Sequence, residues 1–406
     1  MAVTAYKEDV EYYVDSIAGR FYARAIVSRG QPRPAINVGS GDIVNQSPLH
    51  DVHTKLGATL VDFAGWRMPL TYGSIIAEHN RTRTGCTVFD VSHMGRLRVD
   101  GTGAEALLQR LCTRNVTEME PGQARYTHMC NESGGILDDM LVYRSESHWD
   151  VVCNASNRAK IVDWMSKHAR AFEASIDDRT LQTAMLAVQG PRTMEYAQKM
   201  LPFDVGSLKR YRFQSGLTMG IAYTVARSGY TGEDGLEVTV PAGVVKMLTS
   251  SMFDMESNGE KAITPAGLGA RDSLRLEAGM PLYGHELHED VDPLTAGQSW
   301  CVDLSKDFIG VEAMRALQAK GLKRKLVGLE LSGKRMARQG YPVLVSGRQI
   351  GEVTSATLSP TLGKSIAMAF VESEHGELGT ELTVDLRGKP TDATVVKLPF
   401  YKRPKN

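Results

Sequence analysis

The sequence predicts an α+β protein of more than one domain, with a C-terminal unit built from strands alone. Its 406 residues are more than one compact core normally holds. From about Pro48 onward, short strand-like runs alternate with amphipathic helical segments. From about Lys325 to Arg403 the apolar residues instead follow a period of two, which is typical of strands.

Two segments have the spacing of surface helices with one buried stripe. One follows Gly103 and the other follows Asn157. Their apolar and amphipathic positions are Ala104, Leu107, Leu108, Leu111, Ile161, Trp164, Met165, His168 and Phe172. These intervals of three and four residues place the side chains on one helical face.

Between these helices the pattern predicts a β-hairpin. Residues 140–143 and 149–153 are short apolar runs, and residues 144–148 between them are polar. Gly134, Gly135, Asp138 and Asp139 therefore lie at the beginning of a predicted strand.

The C-terminal strands predict a small all-β barrel or sandwich over about residues 325–403. Pairs of turn-forming residues, Ser346-Gly347 and Arg387-Gly388, separate alternating runs. The alternating apolar positions are Val327, Leu329, Leu331, Val343, Val345, Leu382, Val384 and Leu386. A basic, helix-prone connector over residues 314–323 leads into this unit.

Charge and apolar patterning argue against two classes of partner. Lysine plus arginine and aspartate plus glutamate each number 47, so the formal net charge is zero and broad capture of nucleic acid is disfavoured. No run approaches the roughly 20 apolar residues that a membrane helix needs. We therefore expect a soluble protein that binds neither nucleic acid nor membrane.

Cysteine and histidine spacing gives no strong metal signal. The cysteines are odd in number, and none is in C-x-x-C spacing, which favours a reducing compartment. They are Cys86, Cys112, Cys130, Cys153 and Cys301. His285, His288 and Glu289 have a spacing that can hold a metal, but we favour a solvated helix or loop and expect no metal.

Residues 1–47 differ in character from the rest and are predicted to be a leader or N-terminal extension. No acidic residue lies between Asp15 and Asp42, while arginine recurs, as in organellar transit peptides. The arginines are Arg20, Arg24, Arg29 and Arg33. Acidic residues near the start, including Glu8, argue against a transit peptide. We favour a leader on a bacterial cytoplasmic protein and keep a mitochondrial matrix protein as the alternative.

Two glycine-rich segments fail as nucleotide-binding motifs. Residues 267–269 (Gly-Leu-Gly) begin like a dinucleotide fingerprint, but Asp272 stands where the third glycine belongs. Residues 363–365 (Gly-Lys-Ser) end like a phosphate loop, but Leu358 replaces the upstream glycine. We expect no nucleotide site at either.

The adjacent carboxylates of Asp138 and Asp139 form the first candidate site. Two neighbouring acids are costly to bury, so an exposed acidic turn is the alternative interpretation. In a strand, neighbouring side chains point to opposite faces. At most one of the two can therefore face a given cavity.

Glu237 is the second candidate. A glycine-rich acidic loop, residues 227–235, leads into a strand in which Leu236, Val238 and Val240 share one face. Glu237 lies on the other face. A carboxylate in a cleft can accept two parallel hydrogen bonds, such as those that pterin offers from a ring N–H and an amino group. A solvated glutamate on a half-exposed sheet remains the alternative.

Arg271 is the third candidate. It follows a run of small residues that permits close approach, and arginine is a natural anchor for a carboxylate. The alternative is an arginine that pairs only with Asp272 or Glu277.

Taken together, these segments resemble the glycine cleavage T-protein family. The resemblance is carried by residues 61–66 (Val-Asp-Phe-Ala-Gly-Trp), 89–95 (Phe-Asp-Val-Ser-His-Met-Gly), 131–139 (Asn-Glu-Ser-Gly-Gly-Ile-Leu-Asp-Asp), 229–235 and 267–277. The match runs in order from about Pro48 to Arg403.

The resemblance implies a three-domain cloverleaf around a central folate site. Residues 48–310 would form two intertwined α+β domains that bind folate, and residues 325–403 the C-terminal barrel. The implied enzyme is an aminomethyltransferase that moves a one-carbon unit from lipoylated H-protein to tetrahydrofolate and releases ammonia. Glycine decarboxylase and dihydrolipoyl dehydrogenase would be indirect partners.

The resemblance also implies site residues. Asp139 matches the catalytic carboxylate of the family. The folate-binding positions are matched by Tyr126, Tyr143, Asn154, Tyr230, Glu237, Arg271 and Trp300. We rank orientation and electrostatic stabilisation above proton abstraction for Asp139, because a free aspartate, with a pKa of about 3.9, is a poor base at neutral pH.

Two related functions remain as alternatives. One is a folate-dependent demethylase on the same fold, whose relatives carry an attached flavin domain. The other is a non-catalytic folate-binding protein of iron–sulfur assembly, recognised by a Lys-Gly-Cys-Tyr-x-Gly-Gln segment that this sequence lacks.

Overall fold

The computed structural model describes residues 11–17, 20–26 and 44–404. The α-helices, in chain order, are α1 (His50–Lys55), α2 (Ile75–Thr84), α3 (Ala104–Leu111), α4 (Arg158–Ala169), α5 (Thr193–Ala197), α6 (Val245–Asp254), α7 (Leu268–Glu277) and α8 (Val311–Lys320). Short 3-10 helices occupy Ala155–Asn157, Val205–Ser207, Ala242–Val244, Ser299–Cys301 and Ser373–His375.

The strands, in chain order, are β1 (Glu11–Ile17), β2 (Arg20–Ile26), β3 (Asn45–Gln46), β4 (Thr59–Phe63), β5 (Trp66–Thr71), β6 (Thr87–Asp90), β7 (Gly95–Asp100), β8 (Gln123–Cys130), β9 (Ile136–Arg144), β10 (Trp149–Cys153), β11 (Ser175–Asp178), β12 (Thr183–Gln189), β13 (Phe213–Thr218), β14 (Ile221–Ala226), β15 (Gly235–Pro241), β16 (Glu256–Ser257), β17 (Glu260–Lys261), β18 (Thr264–Pro265), β19 (Arg324–Leu331), β20 (Pro342–Val345), β21 (Arg348–Leu358), β22 (Ser365–Glu372), β23 (Glu381–Asp385) and β24 (Pro390–Val396).

The first unit is a five-stranded antiparallel sheet with the order β11-β7-β10-β9-β8. Helices α3 and α4 cover one face, where Leu107 and Ile161 pack against Val142 of β9. The two predicted helices and the predicted β9–β10 hairpin are confirmed. Helix α4 ends at Ala169, so Phe172 packs on this core from the turn that follows the helix.

The second unit is a six-stranded sheet with the order β13-β14-β15-β12-β6-β18. Helices α5 and α6 pack on one face, around Leu236 and Val238 of β15. Helix α7 packs on the other face, where Ala270 and Leu274 contact Phe89 of β6. The alternation predicted for β15 is therefore confirmed.

The third unit is a closed barrel with the order β19-β22-β21-β20-β23-β24. Two-residue turns with positive φ at Ser346-Gly347 and Arg387-Gly388 join β20 to β21 and β23 to β24, as predicted. Helix α8 forms the predicted connector. The sequence left a barrel or a sandwich open, and the strand pairing gives a barrel.

The three units contact one another pairwise, as expected for a cloverleaf. The two sheets meet where Tyr143 of β9 packs against Phe213 of β13. Ile136 of β9 shares a core with Phe370 of the barrel, and Leu276 of α7 packs on Met368. The predicted α+β class with a C-terminal barrel is confirmed.

The folded body extends into the end of the segment that the sequence assigned to a leader. Asn45 and Gln46 pair in parallel with β5, and the buried Ser47 hydroxyl hydrogen-bonds Asp90. Strands β1 and β2 form an antiparallel hairpin that includes Arg20 and Arg24. Arg29 and Arg33 lie outside the described residues.

No helix among the described residues is both long enough and apolar enough to cross a lipid bilayer.

Candidate active site

The two adjacent carboxylates lie within β9 and point to opposite faces of the five-stranded sheet. Asp138 is fully buried beneath the beginning of α4. Asp139 is partly buried on the other face, which it shares with Tyr143 and which is directed at the six-stranded sheet. The predicted alternation is confirmed, and the alternative of an exposed acidic turn is excluded.

A β-bulge and a glycine fix the entry of the chain into β9. The register steps from Met129–Asp138 to Cys130–Ile136, so Leu137 is an extra residue directly before the acidic pair. Such bulges re-aim the side chains that follow them. At Gly135, a Cβ atom would lie 1.7 Å from the Glu289 carbonyl oxygen, so a side chain cannot be accommodated there.

Amide N–H groups surround Asp138. Its carboxylate accepts hydrogen bonds from the Asn154 backbone N–H at 2.9 Å, the Asn154 side-chain amide at 2.8 Å and the Asn157 side-chain amide at 2.6 Å. All these donors stabilise the charged form. Burial, followed by repulsion from Asp139, raises the pKa of Asp138.

Asp139 accepts fewer hydrogen bonds than Asp138 and lies on the face that is directed at the six-stranded sheet. It accepts from the Tyr126 hydroxyl at 2.9 Å and from the Asn154 side-chain amide at 2.7 Å. The Asn154 amide thus bridges the two carboxylates. Burial raises the pKa of Asp139, and these two hydrogen bonds oppose the effect.

An aromatic stack forms the outer wall beside Asp139. The rings of Tyr126 and Trp300 lie 5.5 Å apart at 17°. Trp300 is 55% exposed, and the Arg114 guanidinium lies 5.7 Å from its ring centre. The indole therefore combines one face packed against the site with accessible surface.

His128 lies directly opposite Asp139 on β8 and is fully buried. Burial lowers its pKa to about 3, so the imidazole is neutral at physiological pH. Its Nδ1 atom lies 3.4 Å from the Cys301 sulfur. Burial raises the pKa of that thiol to about 12, so Cys301 is uncharged as well.

Glu237 approaches the site from the six-stranded sheet. It pairs with Ala226 of β14, whose side chain packs with Tyr143, so Glu237 is directed at the five-stranded sheet. It is 8% exposed and accepts a short hydrogen bond from the Ser228 hydroxyl. The alternative of a solvated glutamate is therefore excluded. Burial and the nearby Glu237 charge raise the pKa of the Tyr143 phenol.

Arg271 completes this end of the site. Its guanidinium lies 5.1 Å from the Tyr230 ring centre, and its Nη1 atom is buried without a hydrogen-bond partner. Burial lowers its pKa, while electrostatic interactions with Glu237 and Tyr230 oppose that effect. Asp272 pairs with Arg275 instead, so the alternative in which Arg271 pairs only with Asp272 is excluded.

The alternative in which Arg271 pairs only with Glu277 is excluded as well. Glu277 pairs with His79 and Arg83, and it also accepts hydrogen bonds from Ser359 and Thr361 of the barrel unit. This carboxylate therefore joins α7 to the barrel and does not pair with Arg271, whose guanidinium lies over Tyr230.

Tyr230 interacts with both Arg271 and Asp139. Its hydroxyl donates to the Pro281 carbonyl, and burial raises the pKa of its phenol. The charges of Asp139 and Arg271 both act on it. Hydrogen bonds, ring contacts and electrostatic interactions thus connect all eight predicted residues in one region between the two sheets.

The weaker motifs have structural partners. Gly267 caps α7 and donates its N–H to Glu78 at 2.8 Å. His285 Nδ1 lies 3.0 Å from the Thr354 carbonyl oxygen, and Glu289 pairs with Lys160 at 2.7 Å.

Among residues 44–404, the side chains with metal-like spacing are Glu372, Glu374 and His375. Arg348 pairs with Glu372 at 2.7 Å, so an ion pair already accounts for that cluster.

Sequence reasoning missed several supporting residues. Asn157 donates a hydrogen bond to Asp138, and Ser228 donates one to Glu237. His128 and Cys301 contact each other next to Tyr126. Asn157 follows Asn154 by three residues at a strand end, a spacing that can bring two amides to one acid. Ser228 lies nine residues before Glu237, and no local pattern predicts that contact.

Comparisons with known proteins agree with this architecture. Residues 49–306 match the family described as the GCVT N-terminal domain, and residues 324–402 match the glycine cleavage T-protein C-terminal barrel domain. These two matches together cover most of the chain.

Individual relatives extend the similarity. An aminomethyltransferase of Rubrobacter xylanophilus is 46% identical over 365 residues, which are 89% of this chain and 96% of that protein. One of Desulfitobacterium hafniense is 42% identical over 362 residues, which are 89% and 99% of the two chains.

A solved structure is similar over the same extent. The crystal structure of glycine cleavage system aminomethyltransferase T from Bartonella henselae matches with a TM-score of 0.83 at 34% identity. The match covers 88% of this chain and 98% of that one. The chain therefore belongs to the glycine cleavage T-protein family of aminomethyltransferases.

Proposed function

We propose that this enzyme transfers the one-carbon unit of an aminomethyl group, carried on the lipoyl arm of H-protein, to tetrahydrofolate. The products are ammonia, methylenetetrahydrofolate and dihydrolipoyl H-protein. The observation that supports the proposal is that Asp139 and Glu237 lie on the facing sides of two different sheets, which meet at Tyr143 and Ala226.

Glu237 and Arg271 fit the pterin end of folate. A buried carboxylate with one protein donor can still accept the paired N–H groups of pterin. The Nη1 atom of Arg271 is buried without a partner, and leaving it unpaired costs free energy. Because Arg271 lies near Glu237, we assign it to the ring rather than to the carboxylate tail.

Asp139 fits the reacting end. Loss of ammonia develops positive charge on the carbon between nitrogen and sulfur, and a fixed carboxylate stabilises that charge. Tyr126 and Asn154 hold this carboxylate in place. Tetrahydrofolate supplies the nucleophilic nitrogen, and Asp139 can orient it through a hydrogen bond.

Family membership supports our proposals for the partner and the location. We propose lipoylated H-protein as the direct partner, with glycine decarboxylase and dihydrolipoyl dehydrogenase acting on the same carrier. Bacterial relatives favour the bacterial cytoplasm. A mass spectrum of the mature N-terminus from cells would show whether the first residues are removed, as a mitochondrial leader would require.

The division of the chain stays a prediction. We place a leader in residues 1–47, the folate-binding region in residues 48–310 and the barrel domain in residues 325–403. Limited proteolysis with mass spectrometry of the fragments tests these boundaries, because cleavage concentrates at exposed segments between domains.

The proposal is tested with purified chain and aminomethyl-loaded H-protein. Ammonia release should be fast with tetrahydrofolate and slow without it, and methylenetetrahydrofolate should form in equal amount. Sarcosine or dimethylglycine in place of H-protein tests the demethylase alternative. Folate binding with no turnover on any donor would favour the non-catalytic alternative.

A further inference from the structure

Asp138 is fully buried next to the proposed catalytic carboxylate, and the function proposed above gives it no role. A buried carboxylate is costly, and a neutral asparagine would satisfy the same space. The enclosing contacts nevertheless favour a charge at this position. A role that requires the charge is therefore worth testing.

The groups around Asp138 and Asp139 differ in whether they can accept a hydrogen bond from a protonated carboxyl. Around Asp138, the hydrogen-bonding groups are the backbone N–H of Asn154 and the side-chain amides of Asn154 and Asn157, all of which donate. A proton on Asp138 would find no acceptor among these groups. Asp139 instead faces the Tyr126 hydroxyl, which can turn and accept a hydrogen bond from a protonated carboxyl.

Nothing cationic relieves the repulsion within the pair. Among the described residues, no lysine or arginine forms an ion pair with either aspartate, and none shifts the pKa of Asp139. The titratable neighbours are Tyr126 and His128 from β8, Cys153 from β10, Tyr230, Tyr283 and Cys301. Each of them is neutral at physiological pH. Lys160 donates to the Tyr283 hydroxyl at 2.9 Å and pairs with Glu289 at 2.7 Å rather than with either aspartate.

We propose that Asp138 is a positioning residue that remains charged and, through repulsion and the shared Asn154 amide, makes Asp139 the proton-accepting member of the pair. The proposal rests on the proposed function for its use in catalysis. The transfer removes one proton from each of two folate nitrogens. It delivers one proton to the departing amine and one to the lipoyl sulfur. A carboxylate that can hold a proton near neutral pH can relay it between these groups.

The direct test is a carboxyl titration of the full chain labelled with 13C at the aspartate side chains. Asp138→Asn and Asp139→Asn assign the two signals. We expect Asp139 in the unsubstituted protein to titrate above the ordinary range of aspartate. In Asp138→Asn it should titrate lower by about one pH unit or more, because the like charge is gone. The acidic limb of the transfer rate should move in the same direction.

Asn157→Ala is the second variant. It keeps both carboxylates and removes one donor from Asp138. Because Asp138 is charged both before and after Asp139 takes up its proton, the Asp139 titration should stay near that of the unsubstituted protein, and the later protonation of Asp138 should move to higher pH. This readout remains usable if Asp138→Asn does not fold.

Three results would overturn the proposal. One is a pair that titrates in the ordinary range of aspartate. Another is an aspartate signal that stays in place in the variant meant to move it, which is Asp139 in Asp138→Asn and Asp138 in Asn157→Ala. The third is an equal loss of rate at every pH in Asp138→Asn, which would make Asp138 purely structural. The titration needs neither folate nor H-protein, so its failure is distinct from failure of the transfer assay.

Discussion

Two carboxylates lie on the facing sides of two different sheets, and their surroundings carry opposite charge. Glu237 lies beside the cation Arg271, whereas Asp139 lies beside a second carboxylate. The same strand alternation places both side chains, so the difference lies in the neighbours. A carboxylate beside a cation is a fixed acceptor suited to binding. A carboxylate beside an anion exchanges protons and charge more readily, which suits chemistry.

The largest expected effect comes from the carboxylate end. Asp139→Asn preserves shape and removes the charge, so we expect kcat to fall about a hundred-fold or more, because charge stabilisation and proton transfer are both lost. Steady-state ammonia release with loaded H-protein measures this. Asp150→Asn is the control, because Asp150 lies on the neighbouring strand β10 and pairs with Arg98 on the sheet. Turnover in Asp139→Asn equal to that of Asp150→Asn would contradict the catalytic role of Asp139.

Glu237→Gln should affect binding rather than rate. Loss of a charge-assisted pair of hydrogen bonds costs about 1.5–3 kcal/mol, which weakens tetrahydrofolate binding roughly ten- to hundred-fold. Titration calorimetry measures the dissociation constant. Ser228→Ala removes only the protein donor to Glu237 and should have a smaller effect. A large fall in kcat with unchanged affinity would reverse the assignment of the two ends.

Arg271→Lys keeps the charge but loses the planar guanidinium over Tyr230, so tetrahydrofolate affinity should fall about ten-fold. Arg192→Lys is a matched control, because Arg192 also lies over a tyrosine, Tyr196, but at a surface ion pair with Glu195. Equal affinities of the two variants would remove Arg271 from the binding end.

The smallest effect is expected at the outer wall. Trp300→Leu loses the stack on Tyr126, which is worth about 1 kcal/mol, so KM for folate or H-protein should rise several-fold. Trp300→Phe retains an aromatic ring and should stay near the unsubstituted value. Steady-state kinetics with each substrate varied in turn separate the two KM values. Unchanged KM values for both substrates in Trp300→Leu would show that Trp300 does not contribute to substrate binding.

Local periodicity predicted the elements of the fold well, because the signals are within the elements themselves. The stripe from Ala104 to Leu111 became α3, and the turn at Ser346-Gly347 became a hairpin of the barrel. Periodicity alone left a barrel or a sandwich open and the family resemblance implied the barrel, because pairing between β19 and β24 joins residues far apart in sequence. The sequence pattern carries no register for such pairs.

The site was predicted by a different route. Alternation placed Asp138 and Asp139 on opposite faces of one strand and placed Glu237 opposite the apolar face of another, and both placements are confirmed. Which carboxylate acts in catalysis came from the family resemblance and stays a proposal. The support from Asn157 and the partnerless Arg271 nitrogen required tertiary structure, because those contacts depend on how separate elements pack.

The most direct test combines both ends in one single-turnover experiment. Asp139→Asn and Glu237→Gln are mixed with aminomethyl-loaded H-protein at increasing tetrahydrofolate, and the rate of ammonia release is followed to saturation. The account predicts that Asp139→Asn saturates near the normal folate concentration at a very low rate. Glu237→Gln should need far more folate and then approach the normal rate. The opposite pattern, or the same loss of rate at saturation in both variants, would contradict the division of labour between the two carboxylates.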